Sequence, residues 1–540
     1  MEKHICEKRQ SMYMAVKSSA EFYPNNTALR YMFRSFSYKH LLKRINQFAF
    51  ELKEIGVKKD EPVTVCLPNI PDAVYLFYAI NQIGAIANVV HPLFTYEQMR
   101  DNLALTKSKY LFCLDSKFKD FKPLIDDGIC VHACSPASEL RLFKRIGYKF
   151  LTRKKIEKIP QEYKMRGFYN APILKEFDDR YENDAIYLHS GGTSGKPKVI
   201  ALSSFAVNAL VAQGPWIANR DNLDKLSMLA VLPMFHGFGL GIGIHIMLSD
   251  GGCDVLMPKF SPDDTIKYIN RGELNMLIGV PVLFEALVNK PKFKGPGLKN
   301  VIIAWVGGDF IPSSLLDKFN RKMIIAGSDG RLRPGYGLTE TVNVCCVNSV
   351  SHFKEGTVGT NLPNVKFKVV DPETLKEKKI DEDGELLVGG ETLMNGYRFS
   401  EDPKANEKVF VTINGEKYVR TGDFVSLDSD GFLSFKSRLK RLIKVNGIPV
   451  FPSEIEQAAA SLPYVWECAA IGVDDTKRGH IIKLFVVLNH KMDISEETAR
   501  KEISDKIVAS QGVYAKPKEI VFIDKMPHTI VGKVDFKQLQ

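Results

Sequence analysis

The chain has no Cys-x2-Cys pair, no Walker A sequence, no apolar leader and no internal repeat or low-complexity tract. Each absence narrows the function. The nine cysteines are odd in number and scattered, which excludes a disulfide framework and makes a reducing, cytoplasmic setting the expectation. Cys130-x-His132-x-Cys134 lacks a second ligand pair at any usual zinc spacing and reads as three residues near a strand. The opening residues, Met-Glu-Lys-His-Ile-Cys-Glu-Lys-Arg, hold no apolar signal core. Met228–Leu248 runs for 21 residues without Asp, Glu, Lys or Arg, long enough to span a bilayer. Pro233, His236, His245 and four glycines interrupt it, so a buried strand, loop and helix beside a ligand is the expectation. No nucleic-acid-binding pattern organises the basic residues, and the net charge of +11 over 540 residues points only to anionic ligands or an anionic surface.

What is present begins with Tyr187–Ile200, where an apolar lead-in gives way to Ser190-Gly-Gly-Thr-Ser-Gly-Lys-Pro-Lys198. Glycines let a backbone approach a ligand closely, and successive N–H groups make a cradle for phosphate oxygens. Ser190, Thr193 and Ser194 add hydroxyl donors, Gly195 adds backbone freedom, and Lys196 and Lys198 add charge. A P-loop kinase or GTPase is disfavoured, because Ser190 stands where the first glycine belongs and Pro197 where a magnesium-binding hydroxyl belongs. Alone, this stretch leaves a polyphosphate cradle and a flexible surface loop equally open.

The rest of the chain alternates strand and helix. Residues 1–60 read as helical, with helices at Met12–Phe22 and from Ser37 to Ile55. Strands at 62–67, 84–90 and 110–114 flank helices at 70–83 and 96–105, the pattern of a parallel α/β sheet. Residues 138–166 interleave Arg141, Lys144, Arg145 and Lys149 with Leu142, Phe143, Ile146 and Phe150. Such a basic amphipathic segment is either a solvated surface helix or a peripheral contact with an anionic membrane. From about Val365 tight turns and short strands predict a small β-rich subdomain, and residues 438–540 return to a mixed α+β pattern.

Six motifs follow in order: Ser190–Lys198, Pro233–Gly239, Gly335–Thr341, Val419–Asp423, Arg438–Gly447 and Pro527–Lys533. This ordered set resembles the acyl-adenylate-forming superfamily, in its acyl-CoA synthetase and coumarate-CoA-ligase-like branch, over essentially the whole chain. The resemblance implies an α/β fold. A large N-terminal domain (1–437) of two parallel α/β subdomains carries a small barrel-like β-rich subdomain at about 365–437. A mobile α+β lid (438–540) hinges at Lys440. It implies ATP, Mg2+ and coenzyme A as reactants: a carboxylic acid, fatty or aromatic, is converted to acyl-AMP with release of pyrophosphate and then passed to the thiol of CoA.

Site roles are carried over by the same resemblance. Thr193, Ser194, Gly195 and Lys198, with Ser190, match the loop holding the β- and γ-phosphates. Glu340 matches the magnesium carboxylate and Thr339 the α-phosphate contact. Tyr336, with Gly337, flanks adenine opposite Gly308 and Asp309. Asp423 matches the ribose ligand, helped by Arg438, and His236 the histidine at the acyl pocket. Lys533 matches the lysine of the adenylating step, while Lys444 and Gly447 face the thiol after rotation. Taken one by one, Asp423 also reads as a turn residue, His236 as a packed histidine and Lys533 as a solvated tail lysine. One departure is Ser437, where many members have glycine.

No acidic residue lies between Leu226 and Ser249, so a free amino acid would leave its ammonium unpaired there. The expected acid has an apolar or aromatic body, with Phe235, Phe238, Leu240, Trp305 and Val306 as candidate walls. Two other functions fit the same motifs: loading an acyl group onto a separate carrier-protein pantetheine, and a non-catalytic nucleotide sensor. A homodimer is compatible with all three.

Overall fold

The computed structural model describes residues 6–539 except 155, 166–173, 175–176, 190–197, 310, 447, 476–477, 490–491, 493 and 529–533. Four sheets carry the architecture. The first has seven strands in the order 396–398, 199–203, 184–189, 86–89, 62–66, 110–114, 130–134. Its five strands from 184–189 to 130–134 are parallel. Cys130–Cys134 forms its edge strand. The second has nine strands in the order 360–361, 344–347, 332–337, 303–306, 276–279, 227–230, 253–256, 27–31, 34–37, parallel through the six from 332–337 to 27–31.

The strands of both sheets are short apolar runs closed on two faces, as parallel sheets require. One core is shared by Val63, Val65, Ile186 and Leu188 of the first sheet and Met228, Ile278 and Trp305 of the second. The helix Pro71–Gln82 joins this core and is buried at every position. Side chains at the helix starts satisfy the orphan amides: Ser11 accepts from Met14 N–H and Ser37 from His40 N–H, and Thr95 with Gln98 forms a reciprocal box. A second core, with Ala304, Val306, Leu277 and Phe319, covers the other face of the nine-stranded sheet.

Two segments depart from expectation. Residues 1–60 are not wholly helical: Thr27–Tyr31 and Arg34–Ser37 form a hairpin on the edge of the nine-stranded sheet, Thr27–Tyr31 pairing with Cys253–Leu256. Leu29, Tyr31 and Phe36 are buried there, an alternation too short to outweigh the flanking helical periodicity. Gly396–Arg398 leaves the small β-rich region and adds to the seven-stranded sheet beside Val199–Ala201.

That β-rich region is otherwise an antiparallel sheet of five strands, 365–370, 384–390, 410–413, 416–427 and 433–438. Beyond it, 443–445, 448–450, 465–475, 479–488 and 519–522 form a fourth sheet, packed by helices Pro452–Ala460 and Glu496–Gln511 into a core of its own. Among the described residues no helix is long and apolar enough to cross a membrane.

Candidate active site

The site is built on Leu332–Gly337 and the turn Thr339–Thr341 that follows it. Close backbone approach shapes this loop. A Cβ on Gly337 would lie 1.6 Å from the Asn343 carbonyl oxygen, and one on Gly237 would lie 1.7 Å from that of Val342. Both must be glycine, and together they dock the Pro233–Gly239 loop against the Glu340 turn. Val342 closes the turn at φ 65°, ψ −55°, with Asn343 N–H donating to Thr341 O at 2.8 Å. This is the strained hand of the γ-turn, on a β-branched residue, two positions from Glu340.

Two clusters flank the loop. In the first, the Tyr336 hydroxyl donates to Asp423 Oδ2 at 2.5 Å, and the Arg438 guanidinium lies 2.8 Å from Oδ1. Asp423 and Arg438 face each other across the strands 416–427 and 433–438. Asp423 is fully enclosed, and burial pushes its carboxyl up to about 6 despite the pull of Arg438 and Tyr336. Among the described residues its Oδ1 receives no aligned hydrogen bond, and the guanidinium points a different N–H toward Thr421 O. A buried acceptor with spare capacity suits a hydroxyl-bearing ligand such as a ribose. Arg438 is half exposed beside it, so its guanidinium can also meet a ligand.

In the second cluster the Tyr397 hydroxyl donates to Glu340 Oε1 at 2.9 Å, and Lys198 Nζ sits 4.4 Å from the centre of the Tyr397 ring. Among the described residues Glu340 Oε2 receives no hydrogen bond. Magnesium, held by one carboxylate plus phosphate oxygens and water, fits such a group. Tyr397 is fixed on its backbone by Asn406, which accepts from its N–H at 2.7 Å and donates to its carbonyl at 3.1 Å. Met394 N–H donates to the Glu340 carbonyl at 2.8 Å. Burial beside Glu340 pushes the Tyr397 phenol up, so it stays a donor. The sequence reading missed Tyr397. Its one local signal is its place after Gly396, and its partners are distant in the chain.

The two clusters are neighbours: Glu340 is near enough to Asp423 to raise its carboxyl further. Thr339 shares the turn with Glu340, and Gly308 (φ 85°) and Asp309 end the adjacent strand Ile303–Val306 at the surface. His236 stacks obliquely on Phe235, whose ring meets His91 at 4.6 Å. Val306 is not a pocket wall. Strand alternation turns Trp305 toward the shared core and Val306 into the second core. Leu240 is likewise core, whereas Phe235 and Phe238 are partly exposed. Trp305 Nε1 is buried without a hydrogen-bond partner among the described residues.

Lys444 projects from the hairpin Ile443–Val445/Ile448–Val450 of the fourth sheet, and no described hydrogen bond or ion pair joins it to either cluster. Ser190, Thr193, Ser194, Gly195, Gly447 and Lys533 lie outside the described residues. Ser437 is buried on the last strand of the small sheet, where its hydroxyl donates to Arg438 O, and leaves the Arg438–Asp423 pairing intact.

A family model described as "AMP-binding enzyme" matches residues 16–398, and "AMP-binding enzyme C-terminal domain" matches 454–533. The chain belongs to the AMP-binding enzyme family. A probable 4-coumarate–CoA ligase of Dictyostelium discoideum is 27% identical over 94% of this chain and 90% of its own length. A long-chain-fatty-acid–CoA ligase of Bacillus subtilis is 26% identical, over 97% and 93%. ATP-bound MatB from Rhodopseudomonas palustris has the same fold, with a TM-score of 0.84 at 22% identity over 98% of both chains.

Proposed function

We propose that this AMP-binding enzyme is an acid–thiol ligase. It activates a carboxylic acid with ATP to acyl-AMP and pyrophosphate, then transfers the acyl group to coenzyme A. The observation that carries the reading is the pair of clusters flanking one loop: an enclosed carboxylate with spare acceptor capacity at Asp423, beside the Glu340 carboxylate, whose Tyr397 partner also receives Lys198. Names of the relatives, coumarate and long-chain fatty-acid CoA ligases, support an acid with an apolar or aromatic body. So does the Pro233–Gly239 loop, which carries partly exposed Phe235 and Phe238 and no carboxylate.

In this reading Asp423 accepts the ribose hydroxyls, helped by Arg438, and the adenine lies between Tyr336, with Gly337, and the Gly308–Asp309 segment on the other side. Lys198, with Ser190, Thr193, Ser194 and Gly195, holds the departing pyrophosphate. Glu340 holds magnesium, which offsets phosphate charge when bound. Thr339 contacts the α-phosphate, and His236 borders the acyl carboxylate. Attack on phosphorus spreads charge over the phosphate oxygens, so positioned cations do most of the work, and Lys533 supplies one at the α-phosphate.

We place the boundary between residues 437 and 438 and the hinge at Lys440. In support, the small sheet ends at Arg438, the C-terminal core begins at Ile443, and Lys440 lies in the turn Leu439–Arg441 between them. Rotation exchanges Lys533 for Lys444 and Gly447. Nine free cysteines agree with a reducing, cytoplasmic setting, in which segment 138–166 meets a membrane surface peripherally. A CoA-dependent AMP-release screen over short, medium, long and aromatic acids tests the function. Turnover with at least one acid is expected, and acylation of a pantetheinylated carrier in place of CoA would move the assignment to carrier loading.

A further inference from the structure

The helix Leu142–Thr152 has no buried residue. Five of its eleven side chains are large, apolar and exposed, from Ile146 at 55% to Phe143 at 87%, and Phe143 is the most exposed large apolar residue among those described. At about 100° per residue, Leu142, Phe143, Ile146 and Phe150 share one arc, which Gly147 and Leu151 extend. Tyr148 lies on the opposite side, and its hydroxyl donates to Asp115 Oδ1 at 2.7 Å, fastening the helix to the body. The apolar arc therefore faces away from the protein, the reverse of an ordinary surface helix. Arg145 and Lys149 flank it on one side and Lys144 on the other. Residues 141–155 contain seven Lys or Arg and no Asp or Glu.

From this arrangement we infer that the helix Leu142–Thr152 is an interfacial anchor for an anionic lipid surface. Phe143, Ile146 and Phe150 enter the headgroup–acyl boundary while the flanking cations meet lipid phosphates and carboxylates. An outward apolar arc bordered by positive charge on both sides is the pattern of a helix lying in that boundary, and the cations complement anionic headgroups. The inference rests on the peripheral membrane contact proposed above and names its element and its lipid class. Asp115 follows the strand Tyr110–Leu114, parallel to Asp184–His189, so the anchor attaches at the end of the sheet where His189 closes its strand.

The test is co-sedimentation of the full chain with vesicles of phosphatidylcholine alone or with phosphatidylserine, at low and high salt. Binding is expected on the serine-containing vesicles, about tenfold or more above neutral ones, and weaker in salt. Phe143→Ser/Phe150→Ser and Arg145→Gln/Lys149→Gln/Arg153→Gln should each reduce it about tenfold, with AMP release from a water-soluble acid unchanged. Phe143→Trp, which keeps the face apolar, should show blue-shifted emission on anionic vesicles. No binding to any vesicle would overturn both the anchor and the peripheral contact. Binding unaltered by either multiple variant, or unshifted emission from the Phe143→Trp variant, would overturn the anchor alone. Equal binding to both vesicle types would overturn the lipid class. None of these outcomes bears on the ligase reaction, which AMP release reads separately.

Discussion

Tyr397 is the residue on which the candidate site depends most visibly, because one phenol holds the Glu340 carboxylate and one face of its ring receives Lys198. Tyr397→Phe keeps the ring and removes the donor to a charged group. The expected result is a fall in adenylation of about tenfold or more, with a raised magnesium requirement, since such bonds are worth about 1.5–3 kcal/mol. Tyr397→Leu should fall further by losing the ring as well. ATP–pyrophosphate exchange titrated with magnesium checks both, and an unchanged magnesium dependence would remove Tyr397 from the site. Asp423, raised to about 6, is ionised above that pH and neutral below it. Only the ionised form offers both oxygens as acceptors, so KM for ATP should rise as pH falls through about 6. Asp423→Asn should raise KM at all pH values and flatten that dependence. Asp423, Glu340 and Lys198 could be named because each lies in a motif of fixed local spacing. Tyr397 could not, because its role arises only when Gly396–Arg398 pairs with Val199–Ala201.

At the scale of elements, the parallel strands and their crossover helices were legible because each is a short apolar run or a 3.6-residue period with a capping residue. The helix Met12–Phe22 and the strand Tyr110–Leu114 coincide with expectation. The hairpin at 27–37 and the transfer of 396–398 to another sheet were not legible, since both depend on partners remote in sequence. The Glu340 turn hides a similar constraint, as nothing local announces that Val342 takes a positive φ. Buried carboxyls also belong to this scale. Asp72 accepts from Ser138 and Asp250 from Leu223 N–H, and burial lifts both to about 7. Each then holds a proton in the folded chain that the unfolded chain releases above about pH 4. Stability should therefore fall as pH rises from about 4 to 7, by up to about 1.4 kcal/mol per pH unit for each group, and level off above that. Asp72→Asn/Asp250→Asn keeps both acceptors and removes the titration. Its melting temperature at about pH 7.5 should exceed that of the parent, with a flatter profile between about pH 5 and 7. A lower melting temperature there would mean that both carboxyls are ionised in place.

On the scale of the whole molecule, the C-terminal unit rests on the small sheet through contacts on either side of Lys440. Phe424 stacks on Phe451 with centroids 5.4 Å apart, and Lys436 Nζ lies 3.6 Å from Glu454. A rotation of that unit about Lys440 must break these contacts, so Phe451→Ala should shift the balance between the two half-reactions while leaving the Asp423 and Glu340 clusters intact. Lys533→Ala should nearly abolish adenylate formation and spare thioester formation from supplied acyl-adenylate; equal loss of both would contradict the rotation. The two-part organisation was readable from six ordered motifs spread over the chain, whereas the docking contacts were not, because all four of their side chains lie outside those motifs. The two half-reactions begin with activation of an acid by ATP. ATP–pyrophosphate exchange measured with and without a panel of carboxylic acids tests that most directly. Exchange is expected only when a suitable acid is added and should be lost in Glu340→Gln. Absence of exchange across short, medium, long and aromatic acids, with ATP still bound, would contradict it and leave a nucleotide sensor in its place.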